Sequence, residues 1–277
     1  YACYGTTDFS LPAFEIEQVD GSRLSHFVYQ SHRILDGKPS IEGLPQLYVN
    51  EEDEAQTLEI LLVDTISQTE LILSYTIFQN HPVVSRHARF EQKGEQAIKL
   101  QRALSMTLDL PDKDYDWMHL DGAWGREQHL QVSPLHQGSQ SIYSLKGSSS
   151  AEHNPFMALK RPTADEHQGE VLGFSLIYSG NFLGQVDVSS FGQARVSMGI
   201  HPDRFTWLLE KGESFQTPEV VLVYSDQGLN GMSQAFHDVY REHLMRGFWG
   251  QRERPVLLNN WEAMSFDFDE EQILTLA

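Results

Sequence analysis

The sequence is poor in cysteine and in positive charge, and it has no long apolar run. Cys3 is the only cysteine among 277 residues, so no internal disulfide can form, and a reducing compartment, the cytoplasm, is expected. No apolar run approaches the roughly 18 residues that a membrane-spanning helix needs, so no membrane partner is expected. Asp and Glu outnumber Lys and Arg by 39 to 20, and the resulting net charge of −19 disfavours nucleic acid as a partner.

The sequence also lacks the usual short catalytic motifs. It has no phosphate-cradling Gly-x-x-x-x-Gly-Lys, no Gly-x-Gly-x-x-Gly, no Gly-x-Ser-x-Gly and no His-Glu-x-x-His. Its 12 histidines show no ligand-like spacing, so no metal site and no cofactor are predicted. His81 and His87 are interpreted as structural, and His237 and His243 as a pair on a helix surface. The acidic runs at 51–54 and 267–271 are interpreted as a solvated loop and the start of a helix.

What is present is mostly the pattern of β-strands. In residues 98–109, apolar residues alternate with polar ones, and this period of two places one set on a buried face. Arg102 interrupts the apolar set and is expected to be paired or to lie at a sheet rim. Seven further stretches read in the same way, namely residues 57–64, 70–78, 83–91, 171–178, 184–188, 195–200 and 219–224. Short strands between turn residues predict a large antiparallel β-sandwich over residues 1–228.

The pattern changes near Leu229. Apolar residues then recur at three- and four-residue steps, which predicts an amphipathic helix that stops at Gly247, within a connecting segment at 229–250. Residues 255–260 form a nearly continuous apolar run typical of a strand buried on both faces. Asp269 and Gln272 have the spacing of a capping box, so a helix is expected to begin there. Residues 251–277 therefore look like the first βα unit of a (β/α)₈ barrel.

Three stretches stand out as candidates for binding. Residues 122–127 and 146–156 are read as turns or loops that could carry binding residues, with turn chemistry and a buried tryptophan as the simpler explanation. The third, Asn-Asn-Trp-Glu-Ala at 259–263, places amides and an indole after a buried strand. The indole of Trp261 can stack on the face of a pyranose and the amide of Asn260 can bind hydroxyls, but a core tryptophan explains the composition equally well.

Together these stretches resemble the bacterial α-galactosidases of glycoside hydrolase family 36, along nearly the whole chain and in order. The matching motifs are Tyr-Gly-Thr-Thr-Asp-Phe at 4–9, Arg-Ala-Leu-Ser at 102–105, Asp-Leu-Pro at 109–111, Gly-Ala-Trp-x-Arg-Glu at 122–127, His-Asn-Pro-Phe at 153–156, Gln-Gly-Glu at 168–170, Tyr-Ser-Gly-Asn-Phe at 178–182, Glu-Ser-Phe-Gln-Thr-Pro-Glu at 213–219, Tyr-Ser-Asp-Gln-Gly-Leu-Asn-Gly-Met-Ser at 224–233, Arg-Pro at 254–255, Asn-Asn-Trp-Glu-Ala at 259–263 and Phe-Asp-Phe at 266–268.

The resemblance implies a large β-sandwich, a (β/α)₈ catalytic barrel and a small C-terminal β domain, commonly in a tetramer, acting on α-galactoside oligosaccharides such as melibiose and raffinose. It implies that the chain is a piece that lacks the first sandwich strands and ends inside the barrel, so the two catalytic aspartates lie beyond Ala277. No catalytic residue is then expected within the chain, and these residues alone are expected to be inactive. Trp261 matches a tryptophan that borders the galactose subsite, with Asn260 beside it.

The sequence departs from the family pattern at a few positions. Gly125, Gln128 and Ala151 stand where the family usually has alanine, arginine and histidine, and the change at Ala151 leaves any role for the 146–156 loop in doubt. Met-Ser at 264–265 replaces a usual Thr-Tyr, which predicts a changed preference beyond the galactose subsite.

Two other functions fit the same sequence. The parent protein could be a transferase that builds raffinose- or stachyose-type oligosaccharides on the same scaffold, which transfer to sucrose would reveal. The chain could also be a non-catalytic carbohydrate-binding or assembly module. An isolated first barrel strand would leave backbone groups unpaired, which argues against that module.

Overall fold

Antiparallel strands are the main regular structure in the part of the chain that this computed structural model describes, Cys3 and residues 8–277. All eight stretches predicted as strands are strands. The strands are β1 (Phe14–Glu17), β2 (Phe27–Asp36), β3 (Ala55–Asp64), β4 (Thr69–Phe78), β5 (His81–Gln92), β6 (Ile98–Leu110), β7 (Asp116–Ala123), β8 (Arg126–Pro134), β9 (Gly138–Ser144), β10 (His153–Lys160), β11 (Val171–Ile177), β12 (Phe182–Val188), β13 (Ala194–Ile200), β14 (Trp207–Leu209), β15 (Ser214–Gln216) and β16 (Glu219–Ser225). Residues 4–7 of the first family motif lie outside the described part.

The strands form two antiparallel sheets. The smaller one has the order β1-β6-β13-β12-β9, with β14 also paired to β6. The larger one has the order β2-β3-β4-β5-β16-β11-β10-β7-β8, with β15 also paired to β5. Its two outer strands are therefore β2 and β8. The predicted mainly β, antiparallel fold class is confirmed.

The inner faces of the two sheets pack against each other through two apolar clusters. Phe182 and Met198 of the smaller sheet pack in the same buried cluster as Met157 and Phe174 of the larger sheet. A second cluster joins Phe14 and Leu100 of the smaller sheet with Phe90 of the larger one. Burial of apolar side chains from both sheets drives sandwich formation, since each sheet has one face that must leave water.

Strand β6 shows why its apolar alternation is imperfect. The register of β6 against β1 shifts between Leu100 and Arg102, so one extra residue is inserted into the strand. The guanidinium of Arg102 donates a hydrogen bond to the carbonyl oxygen of Pro12, at 3.0 Å. The residue that interrupts the apolar series is thus paired, as expected.

Helix α1 (Gly228–Val239) covers the outer face of the larger sheet. Met232, Phe236 and Val239 are buried against β11 and β16. The helix lies so close to β11 that a Cβ atom at Gly173 would come within 2.6 Å of the Phe236 ring. A π-helical segment, Tyr240–Leu244, extends α1, and Gly247 adopts a positive φ three residues later. The amphipathic helix predicted from Leu229 is confirmed.

The chain divides into two compact units, Tyr1–Leu244 and Met245–Ala277, and α1 belongs to the first. The second unit contains the short helix α2 (Trp261–Met264) and helix α3 (Glu270–Leu276). Asp269 caps α3 in a capping box with Gln272, as the sequence predicts. The acidic run at 267–271 therefore is the start of a helix. The other acidic run forms an exposed 3₁₀ turn, Glu52–Glu54.

None of the helices within the described residues is both long and apolar enough to cross a membrane.

Candidate functional site

Residues 255–260, expected as the first barrel strand, form no strand among the described residues of the second unit. A strand exists only through hydrogen bonds to a neighbouring strand, and the regular elements described in this unit are α2 and α3. The segment instead leads directly into α2. Asn260 occupies the position before the helix, and Asn259 Oδ1 accepts a hydrogen bond from the backbone N–H of Trp261, at 3.0 Å.

Trp261 forms an aromatic pair with Phe266. The two ring centroids are 4.8 Å apart and the rings are perpendicular. Trp261 is 44% exposed and Phe266 is 85% exposed, so Trp261 is not a core residue within this unit. Ser265, which joins α2 to Phe266, has a positive φ of 54°, and this tight turn folds Phe266 back toward the indole. An exposed indole is a suitable surface for the C–H face of a sugar ring.

The side chain of Asn260 supplies a polar group next to this aromatic pair in sequence. Its Nδ2 atom is shielded from solvent and has no hydrogen-bond partner among the described residues. A shielded amide without a partner is costly, and a ligand hydroxyl could satisfy it. The assignment of Trp261 and Asn260 to substrate binding stays a prediction.

The two other candidate stretches meet in the first unit. Residues 122–127 form the end of β7, a two-residue turn and the start of β8. Gly122 donates its N–H to the carbonyl oxygen of Glu152, and a Cβ atom at Gly122 would lie 2.8 Å from the carbonyl oxygen of Ala151. The loop predicted at 146–156 is shorter than expected, because residues 153–156 belong to β10. The remaining loop, 146–152, also binds the Tyr-Ser-Gly-Asn-Phe motif, because Gly147 donates its N–H to Asn181 Oδ1 at 2.7 Å. Three motifs that are distant in sequence therefore form one loop cluster.

The turn in this cluster carries an exposed tryptophan. Trp124 is 91% exposed, so the expectation of a buried tryptophan at 122–127 is wrong. Trp124 lies at the tip of the hairpin, where Gly125 has a positive φ of 79°, and the tip has no neighbour to pack against among the described residues. The expectation of turn chemistry at this place is confirmed.

Two histidines meet at one aspartate on the strands β7 and β10, which lead into the loop cluster. His119 and Asp121 are two residues apart on β7, and His153 lies directly opposite Asp121 on β10. Both imidazoles place Nδ1 against the same carboxylate oxygen of Asp121, at 2.8 Å for His119 and 3.0 Å for His153. Burial lowers the pKa of His119, although the charge of Asp121 opposes this shift.

Another histidine group forms at the end of α1. His81, Glu242 and His243 have potential metal-ligand atoms within 4.8 Å of one another. His243 is buried, so its interpretation as half of a helix-surface pair is wrong, whereas His237 is exposed. The three residues come from two distant parts of the chain, which is why sequence spacing missed both this group and the one around Asp121.

His87 has the structural role that the sequence suggested. It is half-buried on β5, and Gln216 Nε2 donates a hydrogen bond to its Nδ1 atom at 2.9 Å. Burial, reinforced by the charges of Lys38 and Arg89, lowers the pKa of His87 to about 3. The ring is therefore neutral near pH 7.

A surface cleft of about 700 Å³ lies elsewhere on the sandwich unit. It is lined by acidic and apolar side chains that include Asp36, Glu52, Asp53 and Phe78. None of the residues singled out as candidates for substrate binding borders it. The cleft therefore adds nothing to the candidate site.

Family models match both parts of the chain. The model described as glycosyl hydrolase family 36 N-terminal domain matches residues 1–210, and the model described as Melibiase matches residues 214–277. The boundary between the two matches falls near β15, inside the sandwich unit.

Known relatives match along the whole chain. The chain is 56% identical over 277 residues to α-galactosidase AgaA of Geobacillus stearothermophilus and 44% identical over 276 residues to α-galactosidase Mel36A of Lactobacillus acidophilus. It superimposes with a TM-score of 0.97, over its full length, on a crystal structure of AgaA in complex with raffinose. The chain spans 38% of the length of these relatives. It belongs to glycosyl hydrolase family 36.

Proposed function

We propose that the protein containing this chain is an α-galactosidase. It removes terminal α-linked galactose from oligosaccharides such as melibiose and raffinose and retains the anomeric configuration. The observation that carries this proposal is the 56% identity to AgaA over every residue of the chain. Crystal structures of that relative contain raffinose and stachyose, which supports galacto-oligosaccharides as the substrate class.

The proposed reaction needs two carboxyl groups about 5 Å apart. One attacks the anomeric carbon and the other protonates the leaving oxygen, and then activates the water that releases galactose. The family resemblance assigns neither carboxyl group to this chain. The contribution of the chain is the sandwich and the segment 259–266, where the indole of Trp261 stacks on galactose and the amide of Asn260 donates to a hydroxyl.

The proposed organisation follows the resemblance. Residues 1–228 form the sandwich, residues 229–250 form the connection, and residues 251–277 open the catalytic barrel. The packing of α1 on the larger sheet supports its role as the connection, because the helix leads from the last sandwich strand to the second unit.

The test compares hydrolysis with galactosyl transfer. The full-length protein is incubated with raffinose or melibiose, with and without sucrose as an acceptor, and the products are quantified. Release of free galactose in the presence of sucrose supports the hydrolase. Dominant transfer to sucrose would instead make the protein a raffinose- or stachyose-type transferase. Residues 1–277 alone should release no galactose, and release by them would contradict the assignment of catalysis to other residues.

We also propose a homo-oligomer, with a tetramer as the state that the resemblance implies. Its support in the chain is the outer strand β8, which exposes Leu130 and Val132 on the same hairpin as the exposed Trp124. An apolar outer strand is a common place for contacts between copies. Light scattering of the wild type and of a Leu130→Ser, Val132→Ser variant tests this. A tetramer that persists in the variant places the interface elsewhere, and a monomeric wild type refutes the oligomer.

We place the protein in the cytoplasm. A single cysteine in 277 residues supports a reducing compartment. Cell fractionation with an antibody to the native protein tests this assignment, and recovery from the medium would contradict it.

A further inference from the structure

Three side chains of the sandwich unit converge where α1 gives way to its π-helical segment. His81 begins β5, while Glu242 and His243 belong to the segment Tyr240–Leu244. His81 Nε2 lies 3.0 Å from Glu242 Oε2, and the two imidazole centroids are 5.0 Å apart with the rings nearly perpendicular. Two imidazoles and a carboxylate thus point to one place, although His81 and Glu242 are 161 residues apart in sequence.

The tautomer of His243 is fixed by the backbone. Its Nδ1 atom lies 2.7 Å from the carbonyl oxygen of Tyr48, which can only accept, so Nδ1 carries the proton. In the neutral ring, Nε2 then carries the lone pair that can bind an ion. Histidines that bind metals almost always donate their other N–H in this way, since the bond fixes both the tautomer and the ring orientation.

The position of His243 is also fixed. Tyr48 donates its N–H to the carbonyl oxygen of His243 at 2.7 Å, so the two residues exchange two hydrogen bonds. The ring packs on Phe78 with centroids 4.8 Å apart. A ligand atom that is held in place before the ion arrives loses little conformational freedom on binding.

The two imidazoles are shielded from solvent, whereas the carboxylate is exposed. His243 and the side chain of His81 are each 6% exposed, while the side chain of Glu242 is 63% exposed. The nitrogen ligands are therefore rigid and shielded, and the carboxylate lies at an open entrance. π-helical turns are rare and often occur at functional sites.

We propose that His81, Glu242 and His243 form a zinc-binding site that links β5 to the end of α1. Two imidazoles and one carboxylate, with water as the fourth ligand, are a common zinc set. Ligand atoms about 2.0–2.2 Å from a tetrahedral zinc ion lie about 3.3–3.6 Å apart, so the 3.0 Å pair needs to open by only a few tenths of an ångström. The ion would take the place of the hydrogen bond between His81 Nε2 and Glu242 Oε2. Imidazole ligands favour zinc over calcium or magnesium.

The group around Asp121 is the competing site. There, one oxygen of Asp121 already accepts hydrogen bonds from both His119 and His153, so a cation would have to displace both. The group at Glu242 loses a single hydrogen bond. This difference favours the site at Glu242.

The test is zinc binding to the full-length protein in competition with a chromophoric chelator. The Glu242→Gln variant is suitable because this side chain is exposed and glutamine keeps its shape. We expect it to lower the affinity for one zinc ion per chain by about 100-fold or more, since loss of even an outer-sphere partner costs 10- to 100-fold. Asp238→Asn removes the same charge one helical turn earlier and is the matched control, with unchanged binding.

Two further measurements make the outcome decisive. Replacement of zinc by Co²⁺ should give the intense visible bands of a four-coordinate ion with nitrogen ligands in the wild type and in Asp121→Asn, but not in Glu242→Gln. Circular dichroism confirms that each variant is folded. The proposal is overturned if the wild type binds no zinc, if Glu242→Gln binds as the wild type does, or if Asp121→Asn is the variant that loses the ion.

Discussion

Lys38 and Glu219 form an ion pair inside the sandwich unit, and breaking it is the most demanding test of the fold described above. Their side chains are 1% and 0% exposed, with 3.2 Å between Lys38 Nζ and Glu219 Oε1. Glu219 Oε2 accepts the N–H of Leu47 at 2.6 Å, and Lys38 Nζ also donates to Gln46 Oε1 at 3.3 Å. The pair therefore joins the segment that follows β2 to the start of β16.

The change is Glu219→Gln, which keeps the shape and removes the charge. The new side chain can accept from Leu47 or from Lys38 with its oxygen, but its amide N–H then faces the other donor. Removal of one partner of a buried pair costs about 3–5 kcal/mol. Lys38 can escape the cost by losing its proton. From the ordinary lysine pKa of 10.5, this loss costs about 5 kcal/mol at pH 7, at about 1.4 kcal/mol per pH unit. Deprotonation of Lys38 therefore limits the loss of stability to about 5 kcal/mol, which agrees with the 3–5 kcal/mol expected for removal of one partner.

The variant should also show a new pH dependence. Burial lowers the pKa of Lys38, and the charge of Glu219 opposes that shift, so removing Glu219 lowers this pKa further. Between the pKa of Lys38 in the folded variant and 10.5, the unfolded chain binds more protons than the folded one. Stability therefore rises with pH in this window, by up to about 1.4 kcal/mol per unit.

The assay is urea unfolding followed by fluorescence at several pH values below 10.5, the ordinary lysine pKa and the upper end of this window. The double variant Lys38→Met, Glu219→Gln is the control, because it removes the titrating group and should lose the added slope. The reasoning is refuted if Glu219→Gln costs less than about 1 kcal/mol, the value of an exposed pair. It is also refuted if the double variant keeps the slope.

Three other outcomes are expected. Trp261→Ala should raise the Michaelis constant for melibiose about 5- to 150-fold, if stacking contributes about 1–3 kcal/mol as it does for bases, and an unchanged constant removes Trp261 from the substrate site. Gly122→Ala should lower the free energy of unfolding by about 1–3 kcal/mol, measured by thermal unfolding, because its Cβ atom would lie within 2.8 Å of backbone atoms. Gly125→Asn should leave stability unchanged, because asparagine tolerates a left-handed backbone and nothing lies near this position. His87, whose pKa is about 3, binds its proton more weakly when folded, so stability should fall by up to about 1.4 kcal/mol per unit below pH 6.5, and His87→Gln should remove that slope.

The strands that could be predicted from the sequence are those with one clearly apolar face. Strand β4 buries Leu71 and Leu73 and so shows the period of two. The outer strands β2 and β8 were missed, because an outer strand buries little, and most residues of both strands are exposed, so neither shows a clear apolar face. They are strands because they form backbone hydrogen bonds with a neighbouring strand, and such pairing is only weakly reflected in the order of apolar and polar residues.

The loop cluster and the histidine groups could not be predicted from spacing, since their members meet only through sheet register. Asp121 faces His153 because β7 pairs with β10, and 32 residues separate the two in sequence. The aromatic segment 259–266 could be identified because its residues are contiguous. Residues 255–260 form no strand among the described residues, since an apolar run does not by itself supply the neighbour with which a strand must pair, and their place as the first barrel strand of the parent protein stays a prediction.

Arg102 and His243 indicate how long-range hydrogen bonds could be predicted from a single sequence. Each is a polar residue at a position where the apolar period of its element requires burial. In the structure each donates a hydrogen bond to a backbone carbonyl oxygen, of Pro12 and of Tyr48 respectively. This follows from energetics, because a buried donor without an acceptor costs about 1–3 kcal/mol. A polar residue that interrupts an apolar period therefore predicts a buried acceptor from another part of the chain, even where the sequence does not say which part.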